Sequence, residues 1–146
     1  MPWFDEIPSD EEGLPAIFQV ISLSPKALEQ VKQLNETLAF GSSALSRVQE
    51  EAIATVGAAA NRCRYGALTH GGLLRLHSAD EQLASALLTD YSQSGLAEED
   101  QAMLEFAVKL TLEPAAVAQS DVEGLRDAGF DDEEILSIVL ITGLVN

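Results

Sequence analysis

The stretch AANRCRYGALTHGG, residues 59–72, contains the only cysteine of the chain, Cys63, and a histidine, His70. A cysteine thiolate is a nucleophile, and a histidine exchanges protons near neutral pH. Gly66 follows Cys63 by three positions, so the spacing is typical of a redox site whose second thiol is missing. Because one cysteine cannot form an intramolecular disulfide, any thiol chemistry of this chain depends on Cys63 alone.

Helical geometry limits how these residues can cooperate. At 100° and 1.5 Å per residue, Cys63 and His70 share one helix face but are separated by an axial rise of about 10.5 Å. Position 66 lies four residues before His70, at the spacing that brings side chains together, and it holds glycine. The macrodipole favours an anion in the first turn of a helix, and Arg62 and Arg64 add positive potential beside Cys63. This environment fits a reactive thiol.

Each candidate also has a structural interpretation, and the residues alone leave the choice open. Cys63 could be a small buried hydrophobic residue, and His70 could be hydrogen-bonded in the core or at an interface. Glu50 and Glu51 lie in the first turn of the preceding helix, where they suit capping and the helix dipole. His77 is too far along the helix from His70 for a metal site, and neither a second cysteine nor an HExxH pattern is present. We therefore expect no metal.

The elements around this stretch are predicted to be helices. Aromatic residues make up 5% of the chain, so the core must consist of Ala, Leu, Ile and Val, which favours helices over strands. Apolar residues recur at three- and four-residue steps. Capping boxes begin several of the helices, among them the pairs Ser46 and Gln49, Ser78 and Glu81, and Asp131 and Glu134. The predicted fold class is all-α.

The pattern divides the chain into an arm and a domain. Residues 1–15 are expected to form an irregular acidic arm, because three prolines and a glycine interrupt them. Residues 16–146 are expected to form one helical domain, which this length can fold. The last helix reaches Asn146 without a capping signal, so we expect a truncated chain or an end that packs into a partner.

The charge excludes several classes of partner. The chain has 8 Lys plus Arg against 24 Asp plus Glu, a net charge of −16. Such a surface repels nucleic-acid phosphates and anionic membranes. The N-terminus lacks the apolar region of a secretory signal, and no apolar run is long enough to span a membrane. A cytoplasmic protein is the expectation.

Taken together, the residues resemble the AhpD-like alkylhydroperoxidase and carboxymuconolactone decarboxylase family, and most closely its peroxidase-related branch. Its members carry a glutamate, a CxxC motif twelve residues later, and a histidine four residues after the second cysteine. Glu51, Cys63 and His70 match this pattern. The resemblance extends from about residue 10 to the end, through segments such as LSRVQEEAIATVGAAANRCRYGALTHG and DVEGLRDAGFDDEEILSIVLITGLVN.

The resemblance implies an AhpD-like helical bundle that forms homo-oligomers and needs no cofactor. In redox members the CxxC motif reduces hydroperoxides while the histidine and the glutamate relay protons. Carried over, this implies Cys63, His70 and Glu51 as catalytic residues, a small hydroperoxide as substrate and an external thiol as reductant. Gly66 stands where relatives have the cysteine taken to attack the peroxide.

The sequence supports three hypotheses of function. The first is a thiol peroxidase in which Cys63 is oxidised to a sulfenic acid and then reduced by an external thiol. The second is thiol-independent acid–base chemistry by His70 and Glu51 on a small carboxylate or lactone, as in decarboxylase-type relatives. The third is a non-catalytic oligomeric protein that keeps the fold without the chemistry, which the glycine at position 66 favours.

Overall fold

The computed structural model describes residues 13–39 and 41–146. Across these residues the regular structure is helical throughout and contains no strand, which confirms the all-α prediction. Most of the expected arm, residues 1–12, lies outside the described residues. The helices are α1 Ala16–Ile21, α2 Pro25–Leu38, α3 Arg47–Ala60, α4 Arg64–Ser78, α5 Glu81–Thr89, α6 Glu98–Leu112, α7 Gln119–Ala128 and α8 Asp132–Val145, with short 3₁₀ turns at Tyr91–Gln93 and Pro114–Ala116.

The chain divides into two compact units. The described part of the first unit, residues 13–37, contains α1 and nearly all of α2. The second unit, residues 38–146, contains α3 to α8 and all the candidate site residues. Within the described chain, no helix is both long and apolar enough to cross a membrane.

Helix α3 is the central element of the second unit. Its residues from Glu50 to Ala58 are buried without interruption, and α4, α5, α6 and α8 all pack against it. Small and aliphatic side chains permit this, since a helix surrounded on all sides needs an apolar surface all round. The surrounding core is mostly aliphatic, with the fully buried side chains Ile53, Leu74, Leu87, Met103, Leu104, Leu125, Ile138 and Ile141. A carboxylate on this helix therefore requires partners.

Residues 58–66 contain the junction at which α3 ends and α4 begins. The backbone N–H of Cys63 donates to the carbonyl of Ala58 at 2.8 Å, and that of Arg62 to Ala59 at 3.0 Å. This is the Schellman pattern, in which the residue after the helix adopts a left-handed conformation. Arg62 occupies that position with φ of 54°, although glycine is the usual residue there. Cys63 then serves as the N-cap of α4, as the sequence predicts for the start of this helix.

The helix boundaries agree with two of the three capping boxes named above. Ser46 with Gln49 caps α3, and Asp131 with Glu134 caps α8. The expected box of Ser78 with Glu81 is wrong. Helix α4 continues through Ser78, whose hydroxyl donates to the Leu74 carbonyl at 2.7 Å, and Asp80 caps α5 by accepting from two backbone N–H groups.

Candidate functional site

Glu51 and His70 form a hydrogen-bonded pair between α3 and α4. The Nδ1 atom of His70 lies 2.8 Å from Oε2 of Glu51. The glutamate side chain is 3% exposed and the histidine side chain 25%. The ring therefore reaches the surface while the carboxylate that holds it is buried. Such a pair can accept, hold and return a proton.

Arg47 occupies the other side of the Glu51 carboxylate. Its Nη2 atom lies 2.5 Å from Oε1 of Glu51, and its Nη1 atom lies 2.9 Å from Oε2 of Glu50. Arg47 is not among the residues predicted from the sequence. The signal was present, because Arg47 precedes the two glutamates by three and four residues, the spacings at which helical side chains meet.

The adjacent glutamates have different surroundings. Glu50 accepts hydrogen bonds from the backbone N–H of Gly41 at 2.8 Å and from the hydroxyl of Ser43 at 2.7 Å. It therefore anchors the segment that leads into α3, whereas Glu51 faces His70. Both carboxylates are almost fully buried. Capping of α3 is performed by Ser46 and Gln49 instead, so the capping interpretation of these glutamates is wrong.

Cys63, the N-cap of α4, is exposed, so the interpretation as a small buried hydrophobic residue is wrong. Its sulfur accepts a hydrogen bond from the backbone N–H of Gly66 at 3.5 Å. In the described part of the chain no hydrogen bond joins Cys63 to His70. The structure thus brings Glu51 and His70 together. The thiol of Cys63 lies apart from this pair, at the N-terminal end of α4.

Gly66 lies where α4 closely approaches Ala58 of α3. A Cβ atom built at Gly66 would lie 2.9 Å from Cβ of Ala58, closer than carbon atoms pack. The same Cβ would lie 4.0 Å from Cβ of Cys63 and 3.5 Å from its sulfur. Disulfides have Cβ–Cβ distances of about 3.5–4.5 Å. Positions 63 and 66 thus keep the spacing of a dithiol pair, while Ala58 opposes any side chain at position 66.

The described cavities lie away from these residues. One of about 280 Å³, between α6 and α7, is lined by Ala102, Glu105, Phe106, Lys109, Ser120, Asp121, Gly124 and Leu125. Lys109 binds both carboxylate oxygens of Asp121 at 2.8 Å, and this hydrogen bonding holds the pKa of Asp121 below its ordinary value. No cluster of three or more His, Cys, Asp or Glu side chains suited to a metal ion occurs among the described residues.

Comparisons with known proteins place this geometry beside several solved structures. An uncharacterized peroxidase-related protein from Silicibacter sp. is 32% identical, with a TM-score of 0.87 over 90% of this chain and 69% of its own. An uncharacterized peroxidase-related protein from Ralstonia eutropha with an alkylhydroperoxidase AhpD core is 27% identical, with a TM-score of 0.85 over 90% and 70% of the two chains.

A third solved structure shares the fold at lower identity. The debrominase Bmp8, as a cysteine-to-alanine variant in complex with 2,3,4-tribromopyrrole, is 16% identical, with a TM-score of 0.80 over 90% of this chain and 70% of its own. No protein-family model and no curated protein matches the chain.

Proposed function

The chain belongs to the AhpD-like family of peroxidase-related proteins, and from this premise we propose that it reduces hydroperoxides through Cys63, assisted by His70 and Glu51. The observation that carries the proposal is the hydrogen bond between Glu51 of α3 and His70 of α4, because α4 is the helix that Cys63 caps. The exposed sulfur is accessible to a small substrate.

The oxidative half of the reaction converts one thiol and one hydroperoxide to a sulfenic acid and an alcohol. His70 takes the thiol proton, and the Cys63 thiolate attacks the terminal oxygen of the hydroperoxide. The O–O bond breaks, the sulfur gains that oxygen, and the departing alkoxide receives the proton from His70. Because His70 stands about two turns beyond Cys63, the bound substrate or a water molecule carries the proton between them.

The reductive half requires a thiol from outside the chain, because Gly66 offers none. An external thiol attacks the sulfenic acid, which forms a mixed disulfide and releases water. A second external thiol then breaks that disulfide, regenerates Cys63 and leaves as part of an external disulfide. Glu51 stabilises the imidazolium that exists while His70 holds the proton.

A second candidate function uses the same pair without the thiol. The Glu51–His70 hydrogen bond is complete in the absence of any contact to sulfur, and this favours proton abstraction or return on a small carboxylate or lactone. The acidic surface does not attract such anions, so we place this function second.

We also propose that the protein is a cytoplasmic homo-oligomer. The support is α8, which is apolar nearly all round although only one of its sides lies in the core. Its outer residues Leu136, Val139 and Leu140 are exposed. A second copy of the chain is the simplest cover for such a surface.

The test is consumption of cumene hydroperoxide with dithiothreitol as the supplied thiol. We expect activity in the natural protein, none in Cys63→Ser and strongly reduced activity in His70→Gln. Trapping with dimedone should label Cys63 only after peroxide treatment. Equal rates in the natural protein and Cys63→Ser would remove the thiol mechanism.

Two further outcomes separate the alternatives. Turnover of lactone or carboxylate substrates that depends on His70 but not on Cys63 would support the acid–base function. If peroxidase activity arises only when a cysteine is introduced at position 66, the natural protein is a non-catalytic member of the family.

A further inference from the structure

The side chain of Arg47 contacts both buried glutamates, and we propose that it is a positioning residue that fixes the tautomer of His70 through Glu51. The inference rests on the proposed function only in the step where His70 accepts a proton. The hydrogen positions within the trio of Arg47, Glu51 and His70 do not depend on that function.

The two oxygens of Glu51 have separate partners. Oε1 forms an ion pair with the guanidinium of Arg47, and Oε2 lies 2.8 Å from Nδ1 of His70. An ionised carboxylate can only accept hydrogen bonds. Nδ1 must therefore carry the hydrogen, which leaves the lone pair on Nε2. This is the tautomer that lets Nε2 act as a base.

Arg47 is the cation that compensates the charge of the Glu51 carboxylate. The Glu51 side chain is 3% exposed, so water cannot replace a lost cation. A buried carboxylate without a compensating charge takes up a proton. A protonated carboxyl then either donates to Nδ1 or transfers its proton to the ring, and in both cases Nε2 carries a hydrogen. Nε2 of His70 can then no longer accept a proton, although Glu51 and His70 remain in contact.

The other charged groups at the trio do not replace Arg47. Glu50 binds the second arm of the guanidinium at 2.9 Å and adds negative charge. His77 is exposed, and its Nε2 lies 3.4 Å from Nε of Arg47, so it contacts the guanidinium and not the Glu51 carboxylate. A lysine at position 47 would keep the charge but could not present two parallel donors to two carboxylates.

The experiment records nitrogen chemical shifts of the histidine rings in protein labelled with ¹⁵N-histidine. The chain has two histidines, so the spectrum of His77→Gln assigns the signals of His70. In the natural protein we expect a hydrogen on Nδ1 and none on Nε2. In Arg47→Gln and Arg47→Met we expect a hydrogen on Nε2, and in Arg47→Lys the natural pattern should return at least in part.

The matched control is Arg126→Met. Arg126 also forms an ion pair, with Asp132 at 2.8 Å, but this pair is exposed and remote from α4. We expect unchanged nitrogen shifts in this variant.

Peroxidase kcat should fall in Arg47→Gln on the order of a hundredfold, the usual contribution of a general base, with a smaller change in KM.

Two results would overturn the proposal. One is a His70 ring in the natural protein that carries its hydrogen on Nε2 and none on Nδ1, a result that requires no variant to fold. The other is the natural shift pattern in Arg47→Gln or Arg47→Met. If the natural protein lacks peroxidase activity while the shifts change as expected, the proposed function fails and the positioning role stands.

Discussion

At the scale of single residues, Thr55 is an exception within the core. It lies in α3 with no exposed surface, and its hydroxyl has no hydrogen-bond partner among the described residues. Thr142 is equally buried, but its hydroxyl donates to the Ile138 carbonyl at 2.7 Å. An unpartnered buried hydroxyl costs about 1–3 kcal/mol. Thr55 therefore weakens the central helix of the second unit.

Replacing this threonine should stabilise the protein. Valine has nearly the same shape as threonine and removes the unpaired polar group, so Thr55→Val should raise the free energy of unfolding by about 1 kcal/mol. Thr142→Val is the matched control and should lower it, because a formed hydrogen bond is lost. Urea unfolding of the three proteins provides the comparison. A lower stability of Thr55→Val would mean that this hydroxyl has a partner in solution.

A second residue-scale prediction concerns Asp121. The hydrogen bond from Lys109, and then that from the backbone of Ala118, hold the pKa of this carboxyl below its ordinary value of 3.8. A lowered pKa in the folded state means that the carboxylate stabilises the fold above pH 3.8 and loses this effect as pH falls through the folded value. Asp121→Asn should therefore be less stable at pH 7, and the difference should shrink toward pH 2.

The measurement for Asp121 is urea unfolding of both proteins at several pH values. Lys109→Met removes the partner and serves as the control, because it should abolish most of the same pH dependence. A difference between Asp121→Asn and the natural protein that stays constant down to pH 2 would contradict the assignment.

Single residues of the site were only partly predictable from the sequence. Spacing and the family resemblance identified Glu51, Cys63 and His70 as candidates. The family spacing selected Glu51 over Glu50, but it did not give the partners of the two carboxylates, because those depend on which neighbour each one meets after folding. Spacing and resemblance also missed Arg47, since a helical ion pair on the surface is common and only burial makes this one exceptional.

At the scale of elements, the sequence located the helices better than their junctions. Periodicity and composition predicted the all-α fold. They did not predict the left-handed turn at Arg62, because arginine gives no local signal for that conformation. The sequence also did not predict how closely Gly66 approaches Ala58, since this contact arises from the packing of two helices.

This contact between α3 and α4 yields a coupled prediction. Gly66→Cys should lower the free energy of unfolding by about 1–3 kcal/mol, because the new Cβ would overlap Ala58. Ala58→Gly alone should cost about 1 kcal/mol through helix propensity. In the Ala58→Gly background, Gly66→Cys should cost much less, and this double variant is the suitable protein in which to test a restored dithiol.

Urea unfolding of the four proteins of this cycle gives the interaction energy directly. We expect Gly72→Cys to lack the coupling to Ala58, because a Cβ at that glycine of α4 meets nothing within 4 Å. Additive effects of Ala58→Gly and Gly66→Cys would contradict the close helix contact.

At the scale of the whole molecule, the net charge of −16 opposes compaction. Among the described residues of the second unit, four ion pairs act in the opposite direction, two formed by Arg47 and one each by Lys109 and Arg126, so they use three of the eight basic residues. The excess of acidic side chains therefore dominates the electrostatic free energy. The net charge is given by the composition, whereas the ion pairs required the structure.

Salt should consequently stabilise the protein. Raising NaCl from about 10 mM to about 150 mM shortens the screening length from about 30 Å to about 8 Å, which weakens the repulsion among acidic groups. We expect the free energy of unfolding to rise over this range. Urea is the required denaturant, because guanidinium is itself a salt. A fall in stability with NaCl would mean that the ion pairs outweigh the repulsion.

The contact between Ala58 and Gly66 also constrains which sequences can be reached by stepwise change. Introducing a cysteine at position 66 first creates an overlap, and introducing a glycine at position 58 first weakens a buried helix. Each single step is unfavourable although the pair is compatible, so this chain and its dithiol counterpart are separated by a valley in the mutational landscape. A single substitution of Gly66 by cysteine is therefore not enough to restore a stable dithiol site, because residue 58 must change as well.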